Sequence, residues 1–171
     1  MKSLGLVSFG STAWLAIGML AGGGAFAAEL PRVFSSNPAG RCQAALPAFE
    51  GHIRKRPLAI QNEGNATAFV TCAFRSQVYA TELQAFTLAF ASFDGATHSV
   101  SCTGITGYNS GTNQYVVKTA TVPATGQSAL SWIPADFGGA FNYNLLSVSC
   151  SLQPGVGINQ TIVNLREDVG E

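Results

Sequence analysis

Across residues 83–93, Phe86, Leu88 and Phe90 alternate with Ala85, Thr87, Ala89 and Ala91. Successive side chains of a strand point to opposite faces, so this period of two predicts a strand with one bulky and one small face. It outweighs the helical preference of Ala and Leu. The same rhythm recurs twice. In Ser99-Val100-Ser101-Cys102-Thr103 and in Ser147-Val148-Ser149-Cys150-Ser151-Leu152, hydroxyl residues alternate with Val, Cys and Leu. Each segment predicts a strand that turns Val and Cys to a core and hydroxyls to the other side.

Further short runs separated by turn residues complete the pattern. Residues 53–61 predict one edge strand, because Pro57 cannot donate a ladder hydrogen bond. Asn62-Glu63-Gly64-Asn65 reads as a turn, and 66–74 as a strand carrying Val70, Cys72 and Phe74 on one face. Asp94-Gly95 predicts a turn, read as a hairpin. Strands follow at 115–122, 129–133, 141–152 and 158–165, divided by the polar segment 108–114, the loop 136–139 and Pro154-Gly155. About eight strands with turn signals roughly every ten residues, and no convincing helix, predict an all-β fold: an antiparallel β-sandwich, jelly-roll-like.

The first 27 residues read differently. Lys2 is followed by an apolar stretch from Leu4 to Leu20 and a Gly- and Ala-rich end, with Ala25-Phe26-Ala27 offering small residues to a signal peptidase. This order predicts a signal peptide at 1–27, and hence a secreted or periplasmic protein. Ser, Thr and Gly dilute the apolar stretch below what a membrane anchor requires. Residues 28–41 are expected to be an irregular leader, 42–166 a single β-sandwich domain, and 167–171 a frayed acidic tail.

Cysteine usage supports export. The four Cys (Cys42, Cys72, Cys102 and Cys150) favour two disulfides in an oxidising compartment. Four Cys allow three pairings. The matching rhythm around Cys102 and Cys150 selects that pair, leaving Cys42 with Cys72. The cross-links are expected to hold two facing layers together. No C-x-x-C is present, so metal-ligand spacing is lacking, and no cofactor motif is found.

Charge narrows the partners. Charged residues are only 11% of the chain. Nucleic acid binding needs clustered Lys and Arg, and the sole basic cluster, Arg54-Lys55-Arg56, is better read as protection of a sheet edge. A hydrolase triad would have to use His52 or His98, but no G-x-S-x-G is present. Paired-carboxylate chemistry would draw on Glu50, Glu63, Glu82, Asp94 and Asp136, which are scattered. The sequons at Asn65 and Asn159 are expected to stay unmodified, because the signal peptide suggests a bacterium.

Two segments carry binding chemistry. Residues 108–115 hold Tyr108, Tyr115 and several small polar residues. Residues 136–144 hold Phe137, Phe141 and Tyr143, with Trp132 just upstream. Aromatic rings beside Asn, Gln, Ser and Thr suit glycan or protein recognition. Tyr108, Tyr115, Trp132 and Tyr143 are therefore the candidate ligand contacts, unless Trp132 and Phe141 are core residues and the polar groups merely build turns.

Cys42, the Asn-containing turn before Phe69-Val70-Thr71-Cys72, Val100-Ser101-Cys102 and Leu146-Ser147-Val148-Ser149-Cys150 together resemble a loose group of bacterial secreted β-sandwich proteins with four cysteines. In that group Pro commonly follows the second Cys, where this chain has Ala73. The resemblance implies compartment and fold, and carries over no activity and no functional residue. Three functional classes follow: an exported non-catalytic binding module for glycan or protein, a pilin-like or adhesin subunit of a surface appendage, and a hydrolase with an unrecognised site.

Overall fold

The computed structural model describes residues 28–74, 80–107, 113–139, 141 and 145–170. Among them are eleven strands: β1 (Glu29–Ser36), β2 (Cys42–Ala44), β3 (Ile53–Arg56), β4 (Ala59–Asn62), β5 (Ala68–Ala73), β6 (Ala80–Ser92), β7 (His98–Gly107), β8 (Gln114–Val122), β9 (Gln127–Trp132), β10 (Leu145–Leu152) and β11 (Val156–Asp168). They form an antiparallel β-sandwich. One sheet, A, runs β3-β4-β11-β6-β9, with β1 also on β11; the other, B, runs β2-β5-β10-β7-β8. The chain crosses between sheets repeatedly, which places strands distant in sequence side by side.

The alternating segments form the strands expected. Phe86, Leu88 and Phe90 of β6 are fully buried, as are Val100 of β7 and Val148, Cys150 and Leu152 of β10. Phe86 is the hub of an aromatic cluster. It stacks on Trp132 at 5.4 Å between centroids and meets Phe74 at 5.2 Å, Phe141 at 5.4 Å and Phe137 at 6.1 Å. Burying a large aromatic side chain is worth about 1.5–3 kcal/mol, so this cluster is a main source of cohesion between the layers.

Several expectations change. Residues 28–41 are not an irregular leader: β1 pairs with β11 along its whole length, from Glu29↔Asp168 to Ser36↔Thr161. β11 has 13 residues, and β4 covers only Gly157 and Ile158 on that edge. The rest of the edge would be left unpaired, and β1 supplies its hydrogen bonds. The tail shifts with it. Glu167 and Asp168 belong to β11, and Glu167 accepts a hydrogen bond from Arg32 at 3.0 Å.

Residues 53–61 are two strands rather than one, because Pro57 and Leu58 form the turn of the β3–β4 hairpin. β10 starts at Leu145. Asp94-Gly95 is a turn but not a hairpin. Gly95 takes φ 75°, and the turn carries the chain from β6 in sheet A to β7 in sheet B. Both edges of β6 are already occupied, by β11 and β9, so β7 cannot pair with it.

The disulfides are Cys42–Cys72 and Cys102–Cys150, the pairing the alternation selects. They do not join the two layers. Cys42 lies directly opposite Cys72 on β2 and β5, and Cys102 opposite Cys150 on β7 and β10. Their Cα atoms are 4.0 and 4.1 Å apart, near the close approach of antiparallel partners. Both bridges are therefore rungs inside sheet B, on its buried face.

Candidate functional site

Alternation on four strands of sheet B gives its outer face a regular grid. One cross-strand rank is Ala73, Ser147, Ile105 and Tyr115; the next is Thr71, Ser149, Thr103 and Val117; the third is Phe69, Ser151, Ser101 and Thr119. Neighbouring positions along a rank are about 4.8 Å apart, and ranks about 6.7 Å apart. No rank contains an Asp, Glu, Lys or Arg. Apart from Ile105 in the first rank, the apolar side chains, Ala73 on β5 among them, sit at the margins, with Tyr115 and Val117 on β8 exposed by 62% and 64% and Phe69 on β5 by 43%. Ser and Thr both donate and accept hydrogen bonds. The face thus offers a neutral field of hydroxyls bordered by an aromatic ring on each side.

The candidate contacts separate. Tyr115 is on this face. Trp132 is not: its ring is fully buried and its indole N–H donates to the Val116 carbonyl at 3.0 Å. The reason lies across the sandwich at Gly104 on β7. A Cβ there would come within 2.5 Å of Trp132 Nε1, so the missing side chain makes the space the indole fills. Phe137 and Phe141 are likewise core residues. Tyr108 and Tyr143 lie outside the described residues. Their chain neighbours are Gly107, which ends β7, and Asn144, which precedes Leu145 at the start of β10; Gly107 and Leu145 pair at the Tyr115 end of sheet B.

Several titratable groups are bound up in structure. Lys118 points inward from β8, donating to Asp136 Oδ2 at 2.6 Å and to the Ser131 carbonyl at 2.8 Å, which ties the edge of sheet B to β9 of sheet A. Burial raises the Asp136 pKa, but the hydrogen bonds from Lys118 and the Ile133 N–H, with the Lys118 charge, leave it below its usual value. Arg56 makes two hydrogen bonds to Glu63, which lower the Glu63 pKa. Glu82 pairs with Arg166. Arg54, Lys55 and Arg56 are exposed on β3, the outermost strand of sheet A on that side, where charge discourages further pairing.

Asp94 Oδ1 accepts three hydrogen bonds, from His98 Nε2 at 2.8 Å, Ser92 Oγ at 2.9 Å and the Ala96 N–H at 3.0 Å. These donors, His98 first, lower its pKa from 3.8 to about 2. The arrangement braces the turn between sheets. Because the folded value is depressed, the brace contributes fully above about pH 4 and is lost as pH falls toward 2. Stability is expected to fall more steeply over that interval in the native protein than in Asp94→Asn. Denaturant midpoints measured from pH 5 to pH 2 check this, and parallel pH profiles would contradict it. Among the described residues no serine hydroxyl is hydrogen-bonded to His98 or His52, and His52 Nδ1 is buried without a partner.

Among the described residues no three His, Cys, Asp or Glu side chains are placed to hold a metal ion, and no helix is long and apolar enough to cross a membrane. No protein-family model matches the sequence, and no curated protein is similar to it at a significant level. Among solved structures, the chain is similar to the CBM22-1 xylan-binding domain of Paenibacillus barcinonensis Xyn10C, at 16% identity over 84% of this chain and 86% of that one, with a TM-score of 0.39. It is similar to the family 11 carbohydrate-binding module of Clostridium thermocellum, at 8% identity over 80% and 87%, with a TM-score of 0.38. It is also similar to part of the exo-beta-1,3-galactanase of Phanerochaete chrysosporium, at 15% identity over 77% of this chain and 29% of that one, with a TM-score of 0.38.

Proposed function

We propose that this protein is an exported, non-catalytic binding module whose ligand is a neutral glycan held on the outer face of sheet B. The observation that carries the reading is the exposed Tyr115 ring beside a charge-free grid of hydroxyls. A sugar presents hydroxyls at its edges and an apolar face of C–H groups. The rim residues Tyr115, Val117 and Phe69 suit the second, and the Ser and Thr ranks suit the first. A rigid aromatic supplies contact area at low entropic cost. An uncharged face also selects against ionic polymers, which would lose hydration without gaining a countercharge.

Affinity electrophoresis through gels containing xylan, mixed-linked β-1,3-1,4-glucan or an acidic polysaccharide tests the reading. Retardation is expected with a neutral polymer. Tyr115→Ala should weaken it about tenfold, the loss of roughly 1.4 kcal/mol of aromatic contact, and Thr119→Lys should weaken it too by placing a charge in the grid. Both positions are exposed, so the variants should fold. If the native protein runs unretarded with every neutral polymer, or Tyr115→Ala is retarded equally, the reading fails.

A further inference from the structure

A second feature lies on the opposite side of sheet B from β8, where the margin of β1 faces that of β5. There a cavity of about 110 Å³ opens between the layers, lined by Phe34, Ser36, Thr161 and Val163 from sheet A and by Arg41, Ala73 and Phe74 from the other side. Its floor is apolar. Phe74 is buried and rests against Phe86 of the core, and Val163 is buried on β11. Its polar wall is Ser36 and Thr161, the Thr161 hydroxyl donating to the Ser36 carbonyl at 3.2 Å. Among its described lining residues Arg41 is the one cation. Among the described residues the Arg41 guanidinium has no hydrogen-bond or ion-pair partner, unlike Arg32, Arg56 and Arg166.

The backbone of Arg41 is fixed although its side chain is exposed. Its N–H donates to the Pro38 carbonyl at 3.0 Å, its own carbonyl accepts from Ala73 at 3.0 Å, and the next residue is disulfide-bonded Cys42. The chain thus holds an uncommitted guanidinium beside a small cavity with an apolar floor and a polar wall. We propose that this cavity binds the carboxylate end of a small apolar acid, with Arg41 on the carboxylate and the hydrocarbon part against Phe34, Phe74 and Val163. A guanidinium fork matches a carboxylate with two parallel hydrogen bonds. A cavity of about 150 Å³ holds benzene, so this slightly smaller one suits a chain of a few carbons. The same chemistry is presented by a free short-chain acid and by the C-terminus of a polypeptide ending in Val.

Titration of the native protein with pentanoate, followed by the amide NMR signals of Ser36, Thr161 and Val163, tests the site. Pentanamide is the neutral control, and peptides ending in Val with a free or an amidated C-terminus test the polypeptide source. Saturable shifts are expected with the acids at millimolar concentration. Binding should weaken roughly tenfold or more for the amides and for Arg41→Gln. Arg41→Lys keeps the charge without the fork and should fall between. Pentanoate binding alone assigns the site to a free acid, and tighter binding of the free-acid peptide assigns it to a chain end. Equal binding of acid and amide, equal binding by the native protein and Arg41→Gln, or no saturable shift with any probe overturns the proposal.

Discussion

Reduction of both disulfides is expected to leave no cooperatively folded protein at about 37 °C. Cys42–Cys72 closes 30 residues of chain and Cys102–Cys150 closes 48. In the chain-entropy account each loop contributes roughly 4 kcal/mol, and the longer exceeds the shorter by only a few tenths. Together they would account for about 8 kcal/mol, comparable with the whole stability of an ordinary domain, about 5–15 kcal/mol. The two bridges should nevertheless behave differently. Cys102–Cys150 joins β7 to β10 in the interior of sheet B, so Cys102→Ala with Cys150→Ala should lower global stability. Cys42–Cys72 holds β2, a three-residue strand at the sheet edge. Its loss should free β2 locally before the rest unfolds. Guanidinium unfolding with and without reductant, combined with hydrogen exchange at β2, measures both effects. An unfolding midpoint unchanged by full reduction would show that the rungs of sheet B are not needed.

Replacing Trp132 by Ala should cost about 3–5 kcal/mol, the usual range for a buried aromatic. The indole is fully buried, is stacked on Phe86 with ring planes 9° apart, and is hydrogen-bonded to β8. Its removal leaves the Val116 carbonyl without that donor as well as a cavity between the sheets. Trp132→Phe keeps an aromatic against Phe86 but loses the N–H, and should be milder. The complementary change is Gly104→Val. The added side chain would occupy the space of the indole, and overpacking of this kind costs about 1–3 kcal/mol. If Gly104→Val and Trp132→Ala act on one contact, their double variant should be less destabilised than the sum of the singles. Chemical denaturation of the four variants checks this. A fully additive double variant, or a Trp132→Ala protein of native stability, would contradict the packing described.

Much of sheet B was legible along the chain. The alternation around Val100, Cys102, Val148 and Cys150 shows which side chains face the core, and it places Ser101, Ser147, Ser149 and Ser151 on the opposite face where the grid lies. The β6 alternation likewise marks Phe86, Leu88 and Phe90 as core. Tyr115 was legible as a polar-loop aromatic and proves to be the exposed ring at the margin of that grid. The cavity beside Arg41 left no such signal. Its walls come from residues 34–41, 73–74 and 161–163, which become neighbours only once β1 has paired with β11.

Local sequence, through the two-residue period of a strand, was enough to settle the all-β class and the inward and outward faces, because side-chain direction in a strand depends only on position; it favoured one cysteine pairing of three, and strand order fixed it. It could not settle which edges meet. Whether residues 29–36 form a strand depends on an open edge on β11, whether Trp132 is a surface ring or a core ring depends on the absent side chain of Gly104, and whether a disulfide spans layers or lies within one depends on strand order. Each is a relation between segments far apart in the chain, fixed by hydrogen-bond satisfaction and close packing in the assembled sandwich.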